Sequence, residues 1–438
     1  MKKDFSDSIY DKLVNEEDAR ACRAISDDAC QQVPGNFLRI ITAQFFSKLG
    51  DAVLNPKITL PWLLQTLGAP AFLLAWLVPL RESGSLLPQL AIASWVRTLP
   101  QRKWVWVLGA TIQALSVLAM GLVALMFEGA LAGWLVIALL ALFSLARGLN
   151  SVAHKDVLGK TIPKNQRGQV NGWSASAAGL ITILLAILLW FFGADVWSSN
   201  SQLLAWALLA AAALWLMAAG VFATVAEFSG EIEGGRNGLR EALGQLAILR
   251  DDAPFRRFVM TRALFLCSAL SAPYYVVLAH QYLGGDIAVL ALFLLASGLA
   301  SLLSAPLWGR FSDRSSLRVM QVAAAMAAAC GAVLVVIAWW QPQWLQRLGV
   351  LPVLYFALSI SHQGVRVGRK TYLVDMAEGN QRTQYVAVSN TLIGAVLLLF
   401  SAVGGLSQWL SVAGIIFVFS TMAVAGLLLS LRLPDVSQ

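Results

Sequence analysis

Charge is what this sequence has least of. Asp, Glu, Lys and Arg make up 13% of its 438 residues, against 58% hydrophobic residues, and its mean hydropathy is +0.69. So little charge cannot cover that much apolar surface in water, which excludes a soluble globular fold. Histidine is scarce too: His154, His280 and His362 are the three, at spacings that suit no metal site. The four cysteines form no framework. Cys22 and Cys30 lie near the start, Cys267 and Cys330 lie in apolar runs, and free thiols are expected. No basic, then apolar, then small-residue order opens the chain, so no signal peptide is expected. A serine–histidine or paired-aspartate constellation at catalytic spacing is also missing, so neither an enzyme nor a cofactor is expected.

What the chain has in quantity is long apolar runs. A helix needs roughly 20 such residues to cross a bilayer. Twelve candidates are present: Leu38–Leu64, Pro70–Val96, Trp104–Phe127, Leu131–Val157, Val170–Phe192, Leu203–Val225, Phe258–Ala279, Ile287–Trp308, Val319–Trp340, Leu348–Arg366, Tyr385–Leu406 and Leu410–Leu431. The runs are long and do not alternate, so they read as helices and not as barrel strands. The net charge of +8 concentrates in loops after even-numbered spans, for example Arg97, Arg102 and Lys103, or Arg310, Arg314 and Arg318. Loops after odd-numbered spans hold almost none, Arg347 excepted. This bias predicts both termini in the cytoplasm and makes the charge a matter of topology, not of nucleic-acid binding. Trp95, Trp104 and Trp308 collect at the inner ends of spans, and Trp134, Trp190, Trp197, Trp340 and Trp409 at the outer ends, as an aromatic belt.

The sequence is also written twice. Lys155, Asn165-Gln166-Arg167, Gln169, Ser174 and Gly179 recur as Lys370, Asn380-Gln381-Arg382, Gln384, Ser389 and Gly394, always 215 positions on. The same offset aligns Lys103 with Arg318. The expected organisation is an acidic cytosolic tail (1–36), a six-helix bundle (37–226), a cytoplasmic linker (227–257), a second bundle (258–433) and a short tail (434–438). The linker carries Leu239, Leu243 and Leu246 on one face of an amphipathic stretch. Parallel duplicated halves are the architecture of a transporter that rocks about a central site.

Charges inside the spans mark that site. Gln44, Lys48, Asp51 and Asn55 follow +4, +3, +4 spacing and share one helical face, with Pro56 and Pro61 kinking the outer half. Span two carries Arg81-Glu82, with Ser85 continuing the Arg81 face; span four carries Arg147 and Asn150, and Lys57 lies further out on span one. An isolated mid-membrane ion costs at least roughly 3 kcal/mol, so these groups must face inward and pair. Asp51 is expected to pair with Lys48 or Arg81, and Glu82 with Arg147 or Lys57. Either the charges pin helices together, or Asp51 and Glu82 exchange protons beside cations that tune them. In the second half Arg81 and Glu82 correspond to Ala296 and Ser297. That half is therefore expected to shape the pocket without carrying the coupling charge, through Arg262, Ser268, Ser271, Tyr274, Tyr275 and Asn390.

The run Gly309, Asp313-Arg314 and Arg318 matches the Gly-x-x-x-Asp-Arg-x-x-x-Arg signature of the major facilitator superfamily. With the duplication and the long central loop, the chain from 37 to 433 resembles that superfamily. The first-half counterpart keeps only Arg102-Lys103, and span five lacks the Gly-Pro-x-x-Gly-Gly run of many drug/proton antiporters. The resemblance implies twelve helices in two pseudo-symmetric bundles and alternating access for a small solute, often with protons. A cytoplasmic gate is expected from Gly309, Asp313, Arg314, Arg318, Arg102, Lys103, Arg167 and Arg382, with Gly309 allowing close helix approach. The expected protein is a monomeric, proton-coupled secondary transporter of the bacterial inner membrane, with lipids, a small molecule and protons as its partners. A uniporter or lipid-like flippase with structural charges, and a non-transporting sensor or assembly partner, are the alternatives.

Overall fold

The computed structural model describes residues 30–96, 98–163, 179–191, 200–229, 248–312, 314–376 and 379–436. They form helices joined by short turns, and no strand occurs among them. Eight of the helices are long and apolar enough to cross a membrane: spans three, four, six, seven, eight, nine, eleven and twelve of the expected set. The other four fall short for separate physical reasons. Span one is split into Val33–Val53 and Thr59–Thr66. Span two is split into Leu74–Leu86 and Gln89–Val96 at Pro88. Span five is described only over Gly179–Phe191. Span ten, Val350–Asp375, carries His362, Arg366, Arg369 and Lys370 within the helix.

The break in span one follows from its sequence. Pro56 offers no backbone N–H, so the ladder cannot continue through it. The Asn55 side chain instead accepts from the Lys57 N–H at 2.9 Å, and the Asn55 carbonyl accepts from Leu60 N–H at 3.0 Å. The helix then restarts, and Lys57 is left facing the molecular centre. Small residues allow the helices to close up around this point. A Cβ on Gly50 would lie 2.7 Å from the Trp215 ring of span six, and one on Gly84 would lie 2.6 Å from Ser144 of span four.

Apolar packing divides the molecule unevenly. At the outer end, beside the loops that follow odd-numbered spans, one continuous cluster joins both halves: Leu54, Trp62, Leu77 and Trp215 pack in the same cluster as Leu270, Tyr275, Phe293 and Phe419. At the opposite end there are two clusters. One, around Phe37, Trp106, Val157 and Phe222, contains only first-half residues. The other, around Phe258, Trp308, Met320 and Tyr372, contains only second-half residues. Among the described residues the bundles are therefore fused on the outer side and packed separately on the side that carries the basic loops.

Two expectations change. Span ten does not stop at Arg366 but runs to Asp375, because its charges face an aqueous space and do not need to leave the membrane zone. Of the cysteines, Cys30 is disulfide-bonded while Cys267 and Cys330 are free thiols. The amphipathic stretch at Leu239–Leu246 lies outside the described residues.

Candidate functional site

Two adjoining cavities of about 380 and 690 Å³ lie between the bundles and share Lys57, Glu82, Arg147, His362 and Arg366. Each is of a size that holds a small molecule. The smaller, on the outer side, is also lined by Asp51, Asn55, Arg81, Ser297, Ser301 and Gln363. The larger runs toward the basic-loop end, past Arg262, Arg369, Lys370 and Asn390.

Asp51 is the hub of the first-half wall. Arg81 Nη2 donates to Asp51 Oδ1 at 2.9 Å, and Arg147 Nη2 donates to Oδ2 at 2.6 Å. One carboxylate thus ties spans one, two and four. The Arg81 guanidinium also lies over the Phe143 ring, 5.1 Å from its centre, a cation–π contact that shields it from water. Lys48 lies beside Asp51, within its field and that of Arg147. Glu82 is exposed to the cavity, surrounded by Lys57, Arg81, Arg369 and Arg366.

A hydrogen-bond chain crosses from one bundle to the other where the two cavities adjoin. Lys57 Nζ lies 2.8 Å from His362 Nε2, and His362 Nδ1 lies 3.2 Å from Ser268 Oγ. Ser268 Oγ donates on to the Phe265 carbonyl at 3.2 Å. The lysine ammonium can only donate, so His362 accepts at Nε2 and carries its hydrogen on Nδ1. Arg262 is buried on span seven, where Nη1 donates to Ser389 Oγ at 2.5 Å and Nη2 to Asn390 Oδ1 at 2.9 Å.

Not every expected cavity residue reaches the cavity. Tyr274 and Tyr275 pack into the outer apolar cluster. Asn150 is buried and donates to Gln113 Oε1 of span three at 3.0 Å. Gln44 sits 3.2 Å from His154 of span four. Ser85 bonds back to the Glu82 carbonyl of its own helix. Conversely, the second half contributes His362, Arg366 and Arg369, which the sequence reading did not single out. Their +4, +3 spacing was the available signal, and His362 is the 215-position counterpart of Arg147.

At the basic-loop face, Arg102 and Lys103 are held inside the first bundle. Their backbone N–H groups donate to Glu227 at 3.0 and 2.7 Å, Lys160 Nζ reaches the same carboxylate at 3.2 Å, and Arg102 Nη1 pairs with Asp156 at 3.2 Å. In the second bundle Ser315 caps span nine by accepting from the Arg318 N–H and donates to Asp435 at 2.8 Å. The Arg314 and Arg318 side chains are exposed. Among the described residues a Cβ on Gly309 would meet nothing within 4 Å. Asp313, Arg167 and the Arg382 side chain lie outside the described residues.

A family model described as "Major Facilitator Superfamily" matches residues 40–350. The uncharacterized protein Rv2209 of Mycobacterium tuberculosis and its counterpart Mb2232 of Mycobacterium bovis are 24% identical over 302 residues, 66% of this chain. The chain spans 56% of the length of those relatives. Among solved structures, a D-xylose-proton symporter superimposes with a TM-score of 0.68 at 14% identity, covering 91% of this chain and 98% of its own. A POT family transporter in complex with 5-aminolevulinic acid gives 0.67 at 9% identity, covering 90% and 95%. Identities this low speak to the fold alone.

Proposed function

The chain belongs to the Major Facilitator Superfamily, and from that premise we propose that it moves a small organic solute across the membrane by alternating access, coupled to protons. The observation that carries this reading is the unequal packing of the two ends. Among the described residues one apolar cluster joins the bundles on the outer side, each bundle has its own cluster on the other, and cavities lined by charged side chains lie between. A protein that only scaffolds has no need of a chamber lined by charged side chains between its halves. In this reading the structure is the inward-facing state. The basic loops on the open side lie in the cytoplasm with both termini, in a bacterial inner membrane, and one chain works as the unit.

Asp51 is the proton-linked group of the proposal. As a carboxylate it holds Arg81 and Arg147 together; once protonated it can no longer balance two guanidiniums, and spans two and four lose their common tie. That provides a physical route from proton binding to helix movement. Glu82, among Lys57 and the span-ten arginines, is the second candidate. Purified protein in proteoliposomes tests the reading through counterflow of a bound solute, followed by uptake with and without an imposed pH gradient. Absence of counterflow for every solute that binds rejects transport. Counterflow that ignores the gradient retains transport and rejects proton coupling.

A further inference from the structure

We propose that the cargo is a small organic anion of charge −2 or greater, a phosphomonoester or a di- or tricarboxylate, held between Arg147 of the first bundle and Arg366, Arg369 and Lys370 of the second. The inference rests on the transport reading, since it concerns the same cavity.

Charge arithmetic comes first. The two cavities are lined by seven Lys or Arg side chains and only two carboxylates, Asp51 and Glu82. Asp51 is already shared between two arginines. Among the described residues Arg366, Arg369 and Lys370 have no carboxylate within ion-pair distance. Glu82 is the acid whose field reaches all three. While the chamber is open, water and salt ions can balance the surplus. When it occludes, that solvent is excluded and uncompensated charge becomes costly. A neutral or cationic cargo would leave the surplus in place or enlarge it. A cargo of two or more negative charges removes much of it and so lowers the barrier to closing.

Geometry agrees. Arg366 and Arg369 are three residues apart on one helix and so share a face, and a guanidinium's planar fork matches phosphate and carboxylate oxygens in pairs. At the mouth of the same cavity Arg262 is buried to 7% exposure. Both its Nη atoms are bonded, whereas its Nε has no partner. It is a fixed cation built into the wall and not a mobile surface charge.

The test uses the full chain in detergent at constant ionic strength, with melting temperature read against glycerol 3-phosphate, citrate, glucose and choline. A saturable rise is expected with glycerol 3-phosphate, citrate or both, and which one responds separates the phosphate from the carboxylate source. Arg366→Gln and Arg369→Gln should each weaken that response by about tenfold or more, with Arg366→Lys recovering part of the loss. The inference is overturned if glucose or choline binds and neither anion does, if no probe shifts the melting point, or if both glutamine variants bind the anion unchanged. Each variant's unliganded melting point and monodispersity guard against misfolding; if either glutamine variant fails that check, Arg366→Lys and Arg369→Lys carry the comparison. Binding is measured without flux, so a protein that binds dianions but shows no counterflow keeps this inference and loses the transport reading.

Discussion

Lys57 of span one and His362 of span ten meet at 2.8 Å across the boundary between the bundles. The contact lies where the two cavities adjoin, inward of the outer apolar cluster, and ties the bundles to one another beneath the outer seal. It exists because Pro56 interrupts span one and turns Lys57 inward. A hydrogen bond from a charged donor contributes about 1.5–3 kcal/mol. Lys57→Met should therefore favour the outward-opening state by about tenfold or more. The measurement is the labelling rate of Ser359→Cys, a cavity position, by a membrane-impermeant thiol reagent added from the outer face. An unchanged rate would make the contact incidental to closure.

Asp51→Asn should separate coupling from translocation. The amide keeps the shape but cannot balance Arg81 and Arg147, so gradient-driven accumulation in proteoliposomes should fall at least about tenfold while solute exchange persists. Removing one partner of a fully buried ion pair costs about 3–5 kcal/mol. These side chains are 15–28% exposed, so the lower end of that range, or less, is expected as a fall in melting temperature. Undiminished gradient dependence would remove Asp51 from the coupling role.

Much of this architecture was legible before any coordinates. Apolar run length, loop charge and the repeat at 215 positions indicated two bundles of membrane helices, because lipid leaves the backbone few other solutions. The Gln44, Lys48, Asp51 and Asn55 face was legible for the same reason: helical geometry fixes which side chains align. The second-half wall was harder to read. A span is recognised by lacking charge, and span ten breaks that rule since its charges face water inside the protein. Applying the span-one spacing test to His362, Arg366 and Arg369 would have exposed it. The tyrosines misled for the opposite reason. Tyr274 and Tyr275 have polar tips that suit a pocket, but a small rotation of span seven about its axis decides between cavity and core, and no local pattern records that rotation.

Gly50→Ala tests the packing of span one against span six. A Cβ at this position would meet three atoms of the Trp215 ring between 2.7 and 2.9 Å. The Trp215 ring is fully buried between Gly50 and Phe143, its centre 5.1 Å from that of the Phe143 ring, so it has little room to retreat. Overpacking of this kind costs about 1–3 kcal/mol. The expected result is a lower melting temperature in detergent, largely relieved when Trp215→Leu is made in the same chain. Additive losses in the double variant would show that the two residues do not press on one another.

Glu227→Gln should weaken the first bundle without touching the cavity. The carboxylate is fully buried, and it receives the Arg102 and Lys103 backbone N–H groups at the start of span three as well as Lys160 Nζ. It therefore acts as a charged cap placed from the segment that follows span six, favoured by the positive end of the span-three dipole. Glutamine retains one acceptor oxygen but puts an amide donor opposite a backbone N–H or the lysine ammonium, so one buried donor loses its acceptor. A loss of about 2–4 kcal/mol is expected from that unmet group and the lost ion pair. Because the cap lies apart from Asp51, Arg147 and the span-ten arginines, solute affinity measured on the folded fraction should stay within about twofold of the parent. A large fall in affinity with little change in melting temperature would mean that the end of span three is coupled to the cavity.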